Sequence, residues 1–409
     1  MTSTTSKRSS TKRRRTPATT RKSLILMKVK RNTLATRLSA IIIFLCVIGT
    51  MMVISASSVE SLNNGSGAFS FVTEHLINLT IGAVLFLGIS RFDYRRWLGL
   101  GPILLIGGVA MLIMVLIPGL GITHTGSQRW LRVGPLQFQP SELVKFPLAI
   151  VLAGLLAARE KAGELRSIRR TLFPVAGMTV LIAFLVLAEP DFDSTIVILG
   201  LVAGMLVLVG ISKTWLLGAA VGGAAVTYYQ LSAPFRRARM FVFLDPWKDS
   251  LGNGYQSIAG YTSLALGGWF GTGPGTSTAK WGFLPVAYSD FVFAVIGEEF
   301  GVAGCLAVVV GFIAFGVTGF KIALRAPDRF GTLLASGLTL TVLIQAAINI
   351  GMVVGMLPVS GLTLPFISYG GTSLIMMLSA AGILCNIAYQ GRPRVASTKA
   401  TPKAKSSRG

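Results

Sequence analysis

Ten apolar runs, each long enough to cross a bilayer, decide what this chain can fold into. They lie at about 38–57, 75–90, 99–118, 140–158, 171–188, 194–211, 213–231, 290–320, 330–356 and 370–390. A hydrocarbon layer satisfies no backbone hydrogen bonds, so a run of this length must cross it as a helix. The chain is therefore predicted to be an all-α polytopic membrane protein with about ten transmembrane helices. Its composition agrees: 52% of residues are hydrophobic and 13% charged, where a soluble chain carries about 25% charged residues. The 290–320 run is long enough to tilt, or to begin outside the bilayer.

The charges orient these spans. Residues 1–31 hold eleven Lys/Arg and residues 391–409 hold six, with no acid in either stretch, so 17 of the net charge of +23 sits in two tails. Both tails are rich in Ser, Thr, Lys and Arg and read as disordered. Connections on their side of the membrane carry Arg91, Arg95 and Arg96, then Arg159, Lys161, Arg166, Arg169 and Arg170, then Lys213, then Lys321, Arg325 and Arg329. On the other side, 58–74, 189–193 and 357–369 carry no Lys or Arg. There 119–138, with Arg129 and Arg132, and the long loop 232–289 break the pattern, but long loops escape the orientation rule. Both termini are thus expected to be cytoplasmic and the number of spans even. The expected division is a basic tail (1–37), a transmembrane domain (38–390) and a second basic tail (391–409).

Several function classes fall away. Polybasic tails beside membrane spans fit anionic lipid, and no nucleic-acid-binding fold accompanies them, so no nucleic-acid partner is expected. The first apolar run lies too far in, and lacks a small-residue cleavage site, to be a removed signal peptide. Cys46, Cys305 and Cys385 all fall in apolar runs and read as small core residues. His75 and His124 have no Cys–His spacing around them, so no zinc site is expected. GTGPGTSTAK resembles a phosphate loop but lacks the Gly-Lys-Ser/Thr ending and a preceding strand.

The chemistry concentrates in Trp269–Gly301. A Gly-rich, Lys-bearing loop runs through Pro285 to Asp290, where the long apolar run begins, and Glu298 and Glu299 follow about two turns later. A carboxylate at the mouth of a membrane helix is costly unless it is used. Asp290 reads either as an N-cap or as a general base kept ionised by the helix dipole, with Ser289 available to take the cap. Glu298 and Glu299 read as a structural pair needing a cation, for which Lys145 is one candidate. The outer loop 232–289 carries Arg236, Arg237, Arg239, Lys248 and Lys280 among Phe235, Phe241, Trp247, Tyr255, Trp269 and Trp281. Such a loop suggests an anionic amphiphile, met on the outer membrane surface.

Three further stretches stand out. In GSQRWLRVGPLQFQPSELVKF (126–146), Arg129 reads as a phosphate contact and Trp130 as an interfacial anchor, with Glu142 and Lys145 an i,i+3 pair on the following helix. AEPDFDST (188–195) puts Glu189, Asp191 and Asp193 in a tight turn; a divalent cation is conceivable there, but helix capping is the preferred reading. LPVSGLTLPFISYGGTSL (357–374) reads as an irregular loop lining a cavity, with Ser368 and Gly370 candidate substrate contacts.

In this order, the stretches GSQRWLRVGPLQFQPSELVKF, EPDF, GYQSIAG, GFLPVAYSDFVFAVIGEEFG and LPVSGLTLPFISYGGTSL resemble the SEDS family (shape, elongation, division and sporulation), across residues 38–390. GYQ at 254–256, EPDF and SDFVFAVIGEE are more like its division members than its elongation members. The resemblance implies ten spans, a large extracytoplasmic loop between the seventh and eighth, and a bacterial plasma-membrane protein at the division septum. It implies peptidoglycan glycosyltransferase activity on lipid II, a disaccharide-pentapeptide carried on undecaprenyl diphosphate, alongside a class B penicillin-binding protein transpeptidase and other division proteins. The family's essential acid maps onto Asp290, and its functional Arg and Lys onto Arg129 and Lys145. Three departures stand out: Tyr288-Ser289 replaces His-Thr, PDFDST replaces PDFGT, and Ser360 replaces a charged residue.

Attack of a sugar hydroxyl on a lipid-diphosphate donor needs one base, and cations for the leaving group, where a glycosidase needs two carboxylates. Asp290 as base, with Arg129, Lys145, Lys280 and their neighbours Trp130 and Glu142 at the donor, meets that need. No resident cofactor is expected beyond a divalent cation, magnesium or manganese. The rival reading is a lipid II transporter, which would place its acid at the bilayer midplane; an elongation-type polymerase is the other.

Overall fold

The structure, a computed structural model, describes residues 33–63, 70–124, 127–134, 136–211 and 241–391, with isolated positions between 212 and 240. The expectations for residues 1–32 and 392–409, and for the span at 213–231, lie outside the described residues. Nine of the ten expected spans appear as helices long and apolar enough to cross a membrane. They are α1 (Thr33–Asn63), α2 (Ser70–Arg91), α3 (Trp97–Leu116), α4 (Pro140–Lys161), α5 (Phe173–Ala188) and α6 (Phe192–Val209), then α8 (Val292–Leu324), α9 (Arg329–Val353) and α10 (Gly371–Gln390). A shorter helix, α7 (Tyr255–Gly267), belongs to the long loop before α8.

The bundle is not helical throughout. Between α3 and α4 the chain makes a three-stranded antiparallel meander of β1 (Gly121–His124), β2 (Ser127–Val133) and β3 (Leu136–Phe138). The sequence pattern does not announce it: β1 and β3 have only four and three residues, and β2, SQRWLRV, lacks strict apolar/polar alternation.

Helices α4, α9 and α10 are the most deeply buried spans, while α2 and α3 present most of their surface outward. An outward Ile103 or Val84 needs no partner where lipid is the solvent. The two ends of the bundle differ in chemistry. At one end ion pairs join neighbouring connections, Arg95 to Asp328 at 3.1 Å and Arg329 to Glu160 at 2.6 Å, and Arg159 pairs with Glu164 at 2.9 Å within one of them. At the other end lie the sheet, the 188–192 turn, the start of α8 and the 357–370 loop.

Helix α8 is broken. Gly301 has φ 66° and ψ −164°, a conformation closed to residues with a side chain, so a buried nine-residue segment (292–300) precedes the spanning part. The break diverts hydrogen bonds to the preceding loop. Val302 and Ala303 N–H donate to the carbonyls of Gly268 and Trp269, while the freed carbonyls of Glu298 and Glu299 accept Thr272 and Gly273 N–H. Backbones this close leave no room for side chains: a Cβ on Gly267 would stand 1.8 Å from Gly297 O. The long apolar run thus begins as a short buried segment and then turns into its span.

Candidate functional site

Asp290 sits two residues before α8, half-buried, and does not cap it. The N-cap position is Phe291, with no side-chain bond, and the Ser289 hydroxyl donates to Asp290 Oδ1 at 2.7 Å instead of capping the helix. Both capping expectations are corrected. A buried apolar residue takes the cap position, and the acid is held outside the helix.

What holds Asp290 is its backbone. Three successive carbonyls each meet a different donor: Tyr288 O accepts Tyr369 N–H at 3.1 Å, Ser289 O accepts the Ser368 hydroxyl at 2.6 Å, and Asp290 O accepts Asn349 Nδ2 at 2.8 Å. The 357–370 loop and α9 thereby register the acid from behind. Aromatic packing adds to this, with Phe71 of α2 4.9 Å from the Tyr288 ring and 5.3 Å from that of Tyr369. Burial, and after it a hydrogen bond to Glu74, push the Tyr369 hydroxyl well above its ordinary pKa. That hydroxyl stays protonated and neutral.

The supporting loop is pinned in turn. Gly361 N–H donates to Asp193 Oδ2 at 2.8 Å, Asn349 Nδ2 reaches Leu362 O at 2.6 Å, Gln345 Nε2 reaches Thr363 O at 3.1 Å, and Leu364 N–H donates to Ser368 Oγ at 2.8 Å. Ser368, expected to touch substrate, is 3% exposed, with its hydroxyl committed to the backbone on both sides. It positions Asp290 and does not face outward. Gly370 occupies the N-cap of α10, where a Cβ would come within 2.8 Å of the Thr363 side chain, so it too sits behind the acid.

Arg129 owes its direction to the sheet. Ile122 pairs with Trp130 and Thr123 with Gln128, so the register slips by one and Arg129 is the extra residue of a bulge. Bulges re-aim side chains. This one turns the guanidinium onto the 188–192 turn, with Nε 3.1 Å from Glu189 O, Nη2 bonded to Pro190 O and Nη1 3.9 Å from Asp191 Oδ1. A quarter of its side chain remains exposed. Trp130 is half-buried beside it in β2. Asp191 fulfils the capping reading of its turn: it is the N-cap of α6, accepting Ser194 N–H at 3.1 Å, and its other oxygen accepts Ser141 Oγ at 2.8 Å and Gln139 Nε2 at 3.0 Å. Glu189 is fully buried, with neither carboxylate oxygen bonded. Burial, and to a lesser degree the neighbouring Asp191, push its pKa up to about 9 against the pull of Arg129. It is a neutral acid at pH 7.

Lys145 lies at 2% exposure inside the bundle, its Nζ 2.6 Å from Glu142 Oε1 and 3.1 Å from Gln345 Oε1. It is not the partner of Glu298 or Glu299, which corrects that expectation. Through Gln345 it joins the pins of the 361–364 loop. Glu298 needs no cation, since its oxygens accept Ser277 Oγ, Thr278 N–H and Oγ1 and Ala279 N–H, holding the turn after the Gly-rich run. Glu299 is the one that pairs: Lys280 Nζ lies 3.8 Å away and Ser55 of α1 donates to it. Lys280, 7% exposed and bonded also to Gly275 O, staples the loop to α1 and α8 and is not displayed to a ligand. The Gly-rich run 271–277 is thus spent on folding against α8.

Asn349 and Gln345 were missed by sequence reasoning. Each is a neutral amide inside an apolar run, and the one available signal was its polarity there. They are fully buried, and a buried amide in a membrane helix calls for specific partners. The apolar groove between α8 and α9, about 770 Å³ and lined by Val309, Phe312, Ile313, Leu343, Ala346 and Ile350 among others, is separate from this cluster.

A family model described as a cell cycle protein, FtsW/RodA/SpoVE, matches residues 36–392. The chain is 39% identical over 355 residues to a probable peptidoglycan glycosyltransferase FtsW of Nitrosococcus halophilus, covering 85% of this chain and 91% of that one. Among solved structures it resembles a chain from a study of how a peptidoglycan synthase complex coordinates polymerization and crosslinking, with TM-score 0.70, 27% identity and coverage of 87% and 96%. It also resembles the rod shape determining protein RodA of Thermus thermophilus, with TM-score 0.63, 26% identity and coverage of 86% and 95%.

Proposed function

The chain belongs to the FtsW/RodA/SpoVE family, and from that premise we propose that it is a peptidoglycan glycosyltransferase that polymerises lipid II into glycan strands, as a division member of that family. The observation that carries this reading is the threefold backbone registration of Asp290 at one end of the bundle. A transporter's acid belongs at the midplane, whereas this one stands at a mouth.

In the proposed reaction Asp290 removes the proton from the acceptor sugar hydroxyl as its oxygen attacks the donor's anomeric carbon, a contribution of about 10²–10⁴ in rate. The bond to the diphosphate breaks, that group leaves with its electron pair, and a single displacement inverts the anomeric centre. Ser289, donating to Oδ1, holds the orientation of the carboxylate that takes the proton. Of the three cations weighed for the donor, Arg129 is the one with exposed surface, and it faces the diphosphate in this reading. Trp130 flanks it at the interface. Lys145, with Glu142, acts through Gln345 on the loop behind the base. Among the described residues no group of three or more His, Cys, Asp or Glu stands ready to hold a metal. Magnesium or manganese would enter as the counterion of the lipid diphosphate.

Three connections at the Asp290 end, 58–74, 189–193 and 357–369, carry no Lys or Arg. The cations there are confined to the sheet segment and the long 232–289 loop, which as a long loop escapes the orientation rule. Set against the dense Lys/Arg of the short connections at the other end, this supports cytoplasmic termini and an extracytoplasmic site. The peptidoglycan synthase complex among its structural relatives supports a crosslinking partner. That this partner is a class B penicillin-binding protein, and the place the division septum, is what the family resemblance implies. The test is polymerisation of labelled lipid II by the full chain purified with that partner. Wild type forms polymer and Asp290→Asn does not; equal polymer from both removes Asp290 as the base. Labelled lipid crossing liposomes with no polymer under any condition would favour transport.

A further inference from the structure

Four pins hold the loop behind Asp290 residue by residue. Those at Leu362 and Thr363 are neutral amides from α9, and that at Leu364 is the loop's own Ser368. The fourth is Asp193, in the first turn of α6, whose Oδ2 accepts Gly361 N–H at 2.8 Å. Of these four it alone is a carboxylate, and it alone reaches the loop from the acidic turn.

Gly361 is also where the loop comes close to the acid. A Cβ built on it would stand 3.7 Å from Asp290 Oδ2 and 3.7 Å from Asp193 Oδ2. The amide gripped by Asp193 therefore belongs to the residue that faces the proposed base. Gly361 is itself exposed, and Ser360 before it turns inward, with its N–H 3.1 Å from the Met352 sulfur. Without Asp193, water could replace the bond and a glycine would regain its full backbone freedom.

We propose that Asp193 is a positioning residue for glycan transfer, fixing through Gly361 N–H the loop that registers Asp290. This rests on the reading of Asp290 as the base. A charge-assisted N–H···O⁻ bond is about twice as strong as a neutral one, which suits a pin that must hold at an exposed position. Asp193 also lies in the first turn of α6, where an acid steadies the helix dipole. That role alone would affect stability and leave turnover untouched, so the two can be told apart.

The experiment compares Asp193→Ala and Asp193→Asn in the full chain with its crosslinking partner, following lipid II polymerisation and hydrogen exchange across 357–369. Asp193→Ala is expected to lower kcat by about 10–100-fold with KM nearly unchanged, since a shift of about 1 Å at a reacting group costs up to about 10²-fold. The same variant should speed exchange across the loop. Asp193→Asn keeps an acceptor for Gly361 N–H, and should restore protection and most of kcat. Wild-type kcat in Asp193→Ala, or an asparagine variant as poor as the alanine one, overturns the proposal. Should the alanine variant not fold, Asp193→Ser, too short to reach Gly361, takes its place under the same criteria. Hydrogen exchange decides whether Asp193 holds the loop even if Asp290→Asn proves active, so the two readings fail separately.

Discussion

Asn349 Nδ2 stands 2.8 Å from the Asp290 carbonyl and 2.6 Å from that of Leu362, so one amide group joins the turn carrying the acid to the loop behind it. Replacing Asn349 with Leu keeps the volume and removes both bonds. Each carbonyl left unpaired costs about 1–3 kcal/mol, and a displaced Asp290 costs up to about 10²-fold in turnover. Asn349→Leu is therefore expected to lower both the melting temperature in detergent and the polymerisation rate. Asn349→Asp should do worse, because a carboxylate would oppose two carbonyl oxygens. A leucine variant that turns over like wild type would show that Asp290 is held by other means.

The buried pair Glu142–Lys145 gives a sharper separation of fold from function. Removing one partner leaves a charge uncompensated inside the bundle and costs about 3–5 kcal/mol, whereas replacing both with apolar residues of similar size is often neutral. Glu142→Gln and Lys145→Met should each lower the melting temperature, and the double replacement with Leu and Met should recover it. If Lys145 acts through Gln345 on the Thr363 loop, the recovered protein still polymerises slowly with its KM for lipid II little changed. A large rise in KM instead would return Lys145 to the diphosphate.

The spans were legible because length and apolarity in a bilayer leave the backbone one choice, and the positions of Arg and Lys add orientation. Asp290 stood out as a candidate because a carboxylate at the mouth of a membrane helix is costly unless it is used, with an N-cap as the alternative reading. Of the partners, the i,i+3 spacing made the Glu142–Lys145 pair legible, whereas nothing in the local sequence tells that Lys280 pairs with Glu299, across a helix break. The bulge at Arg129 depends on a one-residue register slip against β1, and register is set by the partner strand and not by the pattern of SQRWLRV alone. Ser368 and Gly370 lie in a loop that does flank the acid, but which of its faces is outward is set by tertiary bonds alone.

Lys280 offers a direct check on the folding role of the Gly-rich run. Its Nζ lies 3.8 Å from the buried Glu299 and bonds to Gly275 O. Lys280→Met should destabilise the protein and expose 271–277 to limited proteolysis, because Glu299 is left without its cation. Adding Glu299→Gln should reverse both effects, while the KM for lipid II stays near wild type in the double variant. A raised KM that the second substitution does not correct would mean that Lys280 meets substrate after all.

Glu189 makes the stability of the site end depend on pH. Its carboxyl is buried and unbonded, and its pKa is pushed from an ordinary 4.5 up to about 9. Between these values the folded protein holds a proton that the unfolded chain has released, so folding stability falls as pH rises through that window and levels off above it. Glu189→Gln removes the titration, and its melting temperature should decline less than that of wild type between pH 5 and pH 9, in steps of about one pH unit, with the gap widest at the alkaline end. Function should follow. Arg129 rests on the carbonyls of Glu189 and Pro190 while Glu189 is neutral; once ionised, Glu189 competes with the diphosphate for the same guanidinium. The KM for lipid II is then expected to rise as pH approaches about 9 in wild type and to stay flat in Glu189→Gln. Identical pH profiles in the two proteins would mean that Glu189 does not hold its proton across this range.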